Sequence, residues 1–453
     1  MDFSVWLEQS GAALLQLVLN PFYYVGLLLV ALLYRRQVVL ERKLFAVRLH
    51  TTATQFLSAL LWGWMGGLFI SVGVIGTGIV LNMATIIWIW AITIVLLAFR
   101  VRFACLAYAA GILGILHVIA EVIPGLSDVG QLETIVTSLS EVHPPSLFAL
   151  VALLHLVEAI FIRIHGARNA TPLFIEGKRG KVVGAYHLQG FWAVPLFLVV
   201  PFTTGTGADA LPWPMFFGGS EWSAGWSLLA FPALMGFSQM TMTELPEHNA
   251  RRSAKLLFGF ALIIGILAVV TEYWPILTVA AGVMSILLHE IILKYSSLRE
   301  NKGSPYFVHA TRGLKILAVV PGSPAQNLGI MAGEIILKAN GMEVNTKEEL
   351  HAALRTNTAF CKLEVLNLEG QNKYMHRALF DGEHHLLGLI LVPDERVPYH
   401  MELKPFTLLS VLVNRWKRRQ RSVIIDGEVA SGLEMSVDDA NANVEAIQPD
   451  LQR

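Results

Sequence analysis

Cysteine and charge are both scarce in this chain of 453 residues. Cys105 and Cys361 are its two cysteines, and Asp, Glu, Lys and Arg together make up 15%, where about 25% is usual. Two cysteines so far apart form neither a disulfide framework nor a Cys-based metal motif. Basic and acidic residues balance at 34 each. With no global basic field, nucleic acid is not an expected partner. The first residues, MDFSVWLEQSG, carry Asp2 and Glu8 and no basic segment, so a cleavable signal peptide is not expected and the first apolar segment should be retained. No cofactor motif is found. What remains is apolar: about 60% of residues when Gly is counted and Tyr is not, against ~45–50% in soluble domains. The composition is that of a polytopic membrane protein with a soluble part attached.

Apolar runs long enough, or nearly so, to cross a hydrocarbon core of ~30 Å recur near 11–33, 55–75, 79–99, 103–120, 146–164, 190–205, 222–240, 255–271 and 275–293. This predicts an α-helical bundle over 1–293 with nine spans, eight being the alternative. The run 190–205 is short and holds Pro195 and Pro201, which suits a broken or re-entrant helix covered by its neighbours. Gly73, Gly76 and Gly78 blur the boundary between the second and third runs. Gly63 and Gly67 form a GxxxG pair that permits close packing.

Orientation follows from the basic residues. The 15 Lys and Arg before position 294 fall in alternate loops: 35–48, 100–102, 163–181 and 251–255. The other loops carry Glu121, Asp128, Glu133, Glu141, Asp209, Glu221 and Glu272. The positive-inside rule puts the basic loops in the cytoplasm. Nine spans then leave the N-terminus outside and everything after Lys294 inside.

From about Gly303 the pattern shifts to short alternating runs between turn residues. Strands are predicted at 315–320, 334–339, 362–368, 373–379 and 386–392. Pro321-Gly322 ends the first, and Asn340-Gly341 suits a type I′ hairpin. Thr346 with Glu349 makes a capping box for a helix over 347–355. The run GLKILAVVPGSPA (313–325), then Leu328-Gly329-Ile330, Gly333-Glu334-Ile335-Ile336 and Asn340-Gly341, resembles the signature of PDZ domains. It departs from that signature in having Glu334 where the family has Asp. The resemblance implies a small β-rich domain over 303–393.

PDZ domains bind peptides in a groove whose carboxylate-binding loop reads hydrophobic-hydrophobic-Gly-hydrophobic. Leu386-Leu387-Gly388-Leu389-Ile390 fits that loop at the domain's end, resembling the circularly permuted bacterial type in which the groove strand comes last. Strand addition would then receive a C-terminal or extended peptide near Gly388, where the absence of a Cβ permits close approach. Helical spacing puts Lys347, His351 and Leu354 on the opposite wall. The competing reading makes 386–392 an ordinary core strand.

Three further groups were weighed. His289-Glu290 resembles half of the H-E-x-x-H helix of site-2 intramembrane proteases, but the second ligand position is Leu293, so no metal site is expected there. His155 and Glu158, with His117, are intramembrane ionisable residues, candidates for a transport pathway or polar glue between helices. Within 394–421, the segment 406–421 is apolar and then basic, as in a helix that lies on anionic lipid or packs on the PDZ domain. The acidic tail 422–453 reads as disordered.

A many-span bundle followed by one PDZ domain resembles the MinJ family of Gram-positive bacteria, membrane proteins that determine the topology of cell division. The resemblance implies a non-catalytic scaffold linking a DivIVA-like pole and septum marker to a MinD-like ATPase, and through it to MinC, with enrichment at septa and poles. The rival classes are a transporter with a regulatory PDZ domain and an intramembrane metalloprotease.

Overall fold

The computed structural model describes residues 3–79, 81–123, 133–177, 180–201, 216–217, 226–357, 359–378 and 387–393. The chain divides into two compact units. In the smaller, formed by 91–105 and 404–453, the described residues are a helix end and a short 3-10 turn, Val101–Ala104. The basic segment 406–421 and the acidic tail lie outside the described residues. All that follows concerns the larger unit.

Its helices are α1 (Phe3–Leu19), α2 (Pro21–Phe45), α3 (Thr52–Thr77), the start of α4 (Met83–Phe99), α5 (Leu106–Val122), α6 (Glu133–Ser140), α7 (Pro144–His165), α8 (Pro246–Tyr273) and α9 (Thr278–Lys302). Among the described residues, five helices are long and apolar enough to cross a membrane: α2, α3, α7, α8, and α9 together with the turn before it. Local chemistry sets their ends. Asn20 caps α2 by accepting from the Phe22 amide at 3.0 Å, with Pro21 in the first turn, and this divides the apolar run 11–33 between two helices. Gly78, at φ +73°, closes α3, a backbone conformation in which Gly is at no steric disadvantage. The blurred boundary between the second and third runs is thereby placed.

Two of the expected helical spans are strands. The runs 190–205 and 222–240 fall on β2 (Val182–Pro201) and β3 (Trp226–Thr241), an antiparallel pair in register from Tyr186↔Thr241 to Pro201↔Trp226. A short strand, β1 (Thr171–Glu176), pairs with β2 only as far as His187. Beyond that point β2 and β3 are both edge strands among the described residues, the position where a sheet tolerates proline, and Pro195 faces Pro232 across the ladder. Inside a helix each proline would remove a hydrogen bond and clash with the preceding turn. The fourteen residues of β2 past His187 reach ~45 Å at ~3.3 Å per residue, more than the ~30 Å of a hydrocarbon core.

Helices cover this hairpin. Gly63 and Gly67 of α3 face β2 rather than another helix: a Cβ on either would overlap the carbonyl oxygen of Ala193 or Pro195. Ser71 accepts from the Phe197 amide at 2.8 Å, and the Tyr34 hydroxyl lies 3.2 Å from both the amide and the carbonyl of Phe191. Edge groups left without water are thus supplied with partners by side chains, as backbone at membrane depth requires.

The C-terminal domain comprises β4 (Leu314–Val319), α10 (Pro324–Asn327), β5 (Ile335–Ala339), β6 (Met342–Glu343), α11 (Lys347–Arg355), β7 (Phe360–Leu366), β8 (Asn372–Ala378) and β9 (Leu389–Leu391). The sheet order is β8-β7-β5-β4-β9, with β6 paired to β5. Leu314, Ile316, Ile336, Leu350, Leu363 and Val365 are among its buried core. Burial pushes the Cys361 thiol up to about 11, leaving it an inert core residue at neutral pH.

This domain is tied to the bundle through the segment that follows α9. Glu300, near the end of α9, is buried and accepts from the amides of Met242 (2.9 Å) and Thr243 (3.2 Å) and the hydroxyl of Thr241 (3.0 Å). The Tyr306 amide donates to the Met242 carbonyl at 2.7 Å, and the Gly184 amide to the Phe307 carbonyl at 2.9 Å. Phe307 is fully buried, and the Tyr186 hydroxyl donates to the Leu317 carbonyl within β4. Lys315 donates to the Tyr306 carbonyl and lies 3.9 Å over its ring; burial lowers its proton affinity.

Candidate functional site

The elements on which a groove is expected in the C-terminal domain are β9 and α11, with the turn after β4 beside the start of β9. Thr346 accepts from the Glu349 amide at 3.1 Å while Glu349 accepts from the Thr346 amide, so the capping box fixes where α11 begins. Leu350, Ala353 and Leu354 of α11 pack in the same core as Leu387 and Leu389. That anchors the helix beside β9 and leaves Lys347 exposed and His351 half-buried.

β9 ends the sheet order. One of its edges pairs with β4 through Val319↔Leu389, Ala318↔Ile390 and Ile316↔Leu391. Its other edge pairs with no strand among the described residues. Just before it, Leu387 and Gly388 take the left-handed backbone at φ +59° and +77°. Their carbonyls accept from the amides of Ala325 (3.0 Å) and Val320 (2.8 Å). Gly388 is needed here twice over, since a Cβ would also overlap the Ser323 side chain. Leu387, Leu389 and Ile390 are buried, and Leu386 lies outside the described residues. Sequence reasoning did not single out Ser323 and Val320 as supports of this loop. Their signal is the Val320-Pro321-Gly322-Ser323 stretch, which the sequence reading assigns to a strand end and to the PDZ signature but not to the support of this loop.

The intramembrane candidates form a second group. The Tyr108 hydroxyl, from α5, donates to Glu290 at 2.8 Å and accepts from Nδ1 of His289 at 3.0 Å. His155 donates from Nδ1 to the Val151 carbonyl at 2.7 Å, its ring centre 5.7 Å from that of His289. Glu158 lies 4.0 Å from Nε2 of His155. His117 does not join them: it reaches the Leu139 carbonyl at 3.0 Å, nine residues along α5 from Tyr108. Tyr108 was missed from the sequence; its signal is a lone phenol in the small-residue run LAYAAGILG.

A PDZ domain family model matches residues 315–366, from β4 through the end of β7, stopping short of β9. The protein named cell division topological determinant MinJ in Bacillus subtilis (strain 168) is 33% identical over 231 residues, 50% of this chain and 56% of that protein. The matches support a MinJ-family protein with a PDZ domain. A probable MinJ of Lacticaseibacillus paracasei is 24% identical over 258 residues, 57% of this chain and 68% of its own length. The alignment thus spans little more than half the length of the B. subtilis MinJ, whose printed name assigns it to the topology of cell division.

Proposed function

We propose that the chain is a membrane-anchored, non-catalytic scaffold for division-site selection. The observation that carries this reading is its similarity to the MinJ proteins over half its length. In this reading the basic loops and the PDZ domain are cytoplasmic and the N-terminus is outside. A hairpin returns to the face it leaves, so replacing two expected helical spans with β2 and β3 leaves that orientation unchanged.

The PDZ domain is of the permuted type, and its groove runs between β9 and α11. Leu386, Leu387, Gly388, Leu389 and Ile390 form the strand side; Lys347, His351 and Leu354 form the helix side. It accepts a C-terminal or extended peptide by strand addition. The edge of β9 that pairs with no strand among the described residues, and the exposed Lys347 at the start of α11, support this reading. Through that groove or the membrane loops the chain bridges a DivIVA-like marker to a MinD-like ATPase, and so to MinC, at septa and poles. The bonds that tie the PDZ domain to the ends of β2 and α9 support a scaffold, because they hold the groove in a fixed relation to the bundle.

The test images a fluorescent fusion in dividing cells, wild type against Lys347→Glu with His351→Glu. These side chains are outside the core, so the domain should still fold. Gly388→Glu does not serve, because it collides with Ser323 and would unfold the loop it is meant to probe. Septal enrichment should be lost while membrane signal persists, with elongated cells or minicells. Unchanged enrichment in the double variant would discard the groove, and uniform signal with normal division on deletion would discard the division role. Glu290→Gln and Glu158→Gln should leave division unchanged, whereas a protease or a transporter would lose activity.

A further inference from the structure

The segment after α7, the start of α8, the loop between α2 and α3, and the C-terminal domain line an open cavity of about 560 Å³. Neither β9 nor α11 lines it, although Val319 and Pro321, at the end of β4 and in the turn that follows, do. Its size is within the ~300–1,000 Å³ of small-ligand sites.

The charge on its walls is predominantly basic. Arg168, just past α7, and Arg251, near the start of α8, both line it, both are exposed, and neither forms an ion pair among the described residues. His50 lines it beside Arg168, its Nε2 3.2 Å from the Arg168 carbonyl. Glu247 is the one acid of the lining. The wall contributed by the C-terminal domain is apolar except for Gln326, and Val319, Ile330 and Met331 are part of it.

We infer that this cavity holds the phosphoryl headgroup of an anionic phospholipid, paired with Arg168 and Arg251, with Val319 and Ile330 against its apolar part. Guanidinium groups match phosphate oxygens in a two-pronged geometry. The cavity sits at the ends of α7 and α8, helices long enough to span, and helix ends of that kind reach the headgroup layer when the helices cross a bilayer. Basic pockets between such helix ends select acidic lipids. A lipid held there would touch bundle and PDZ domain together, making their union sensitive to the charge of the membrane. This inference stands apart from the partner reading above.

The experiment follows thermal unfolding of the full chain in neutral detergent, with phosphatidylglycerol, phosphatidylcholine or inorganic phosphate added. Phosphatidylglycerol should raise the unfolding temperature by several degrees and phosphatidylcholine should not. The shift should vanish in R168E/R251E and persist in R42E/K43E, which makes the same charge change on exposed residues off the cavity. If R168E/R251E does not fold, R168Q/R251Q takes its place. Overturning results are no shift, an equal shift with phosphatidylcholine, a shift that survives the cavity variant, or equal loss in the control. A shift of the same size from inorganic phosphate alone overturns the lipid assignment.

Discussion

The β2–β3 hairpin within the bundle and the small hairpins of the PDZ domain meet the same demand, that each backbone N–H and C=O find a partner. They meet it differently. In the PDZ domain the solution for the hairpins is local: Asn340 and Gly341, at φ +51° and +83°, make the turn from β5 to β6, and β7 pairs directly with β8, the next strand along the chain. In the bundle it is remote. The exposed edge of β2 is closed by Ser71, Tyr34 and the glycine face of α3, more than a hundred residues away in sequence. Local solutions can be read from a sequence; remote ones leave only a trace.

The largest expected effect breaks the link between the two regions. Glu300→Ala would leave the amides of Met242 and Thr243 without their acceptor and strip Arg252 of a nearby carboxylate (3.8 Å). Removing one partner of a buried ionic group costs about 3–5 kcal/mol. Thermal unfolding in detergent should drop accordingly, with the segment between α9 and β4 becoming open to protease. A variant as stable and as resistant as wild type would show that the clasp is not what joins the regions.

The next test sits on the remote side. Gly67→Ala forces α3 away from Pro195, and overpacking of this kind costs about 1–3 kcal/mol. Gly76→Ala, on the same helix with nothing within 4 Å of the new Cβ, should stay within about 0.5 kcal/mol of wild type. Equal losses at both sites would mean that helix propensity, not strand contact, governs α3.

Thr346→Ala probes the local side. Loss of the capping oxygen should cost about 1 kcal/mol, read as a lower unfolding midpoint of the PDZ domain with the bundle unaffected. A change spread over both regions would contradict the separation drawn here.

The smallest effect is a pH dependence in the loop between α2 and α3. Burial disfavours charge on His50, but its hydrogen bond to Glu41 (2.7 Å) and the carboxylate's charge outweigh that, raising its proton affinity above the ordinary value of 6.5. A raised folded-state value means that the contribution is complete below about pH 6.5 and is lost as pH rises through the folded-state value. Wild type should therefore lose a little stability from pH 6 to pH 8, and His50→Asn should lose none of it. The same slope in the variant would assign the effect to another group.

Much of the PDZ domain was legible beforehand. The helix 347–355, its capping box and each of the five strands appear within a few residues of where alternation and turn chemistry put them, because those signals act over a few positions. The candidate groove was legible as a loop pattern, but not the burial of Leu387 or the contact of Gly388 with Ser323, which depend on a turn some sixty residues earlier. In the bundle, the runs over α3, α5, α7, α8 and α9 read as helices and are helices. Segments 190–205 and 222–240 read the same way and are strands. Both are apolar along most of their length, with polar residues near the ends, so no clear period of 2 or 3.6 distinguishes them, and the prolines that argue against a helix are equally compatible with a broken one.

The sequence by itself determined the class of the molecule: how much of it is apolar enough for a membrane, how its basic loops alternate, and where the PDZ motif begins. Those properties are sums over neighbouring residues, and neighbours suffice to state them. Only the tertiary structure decided that two apolar runs pair as a hairpin, that Gly63 and Gly67 face a strand, that Glu300 fastens α9 to the hairpin's end, and that Arg168 and Arg251 share a cavity with the PDZ domain. Each of these joins residues distant along the chain, and the energy of such a contact exists only once the chain has brought them together.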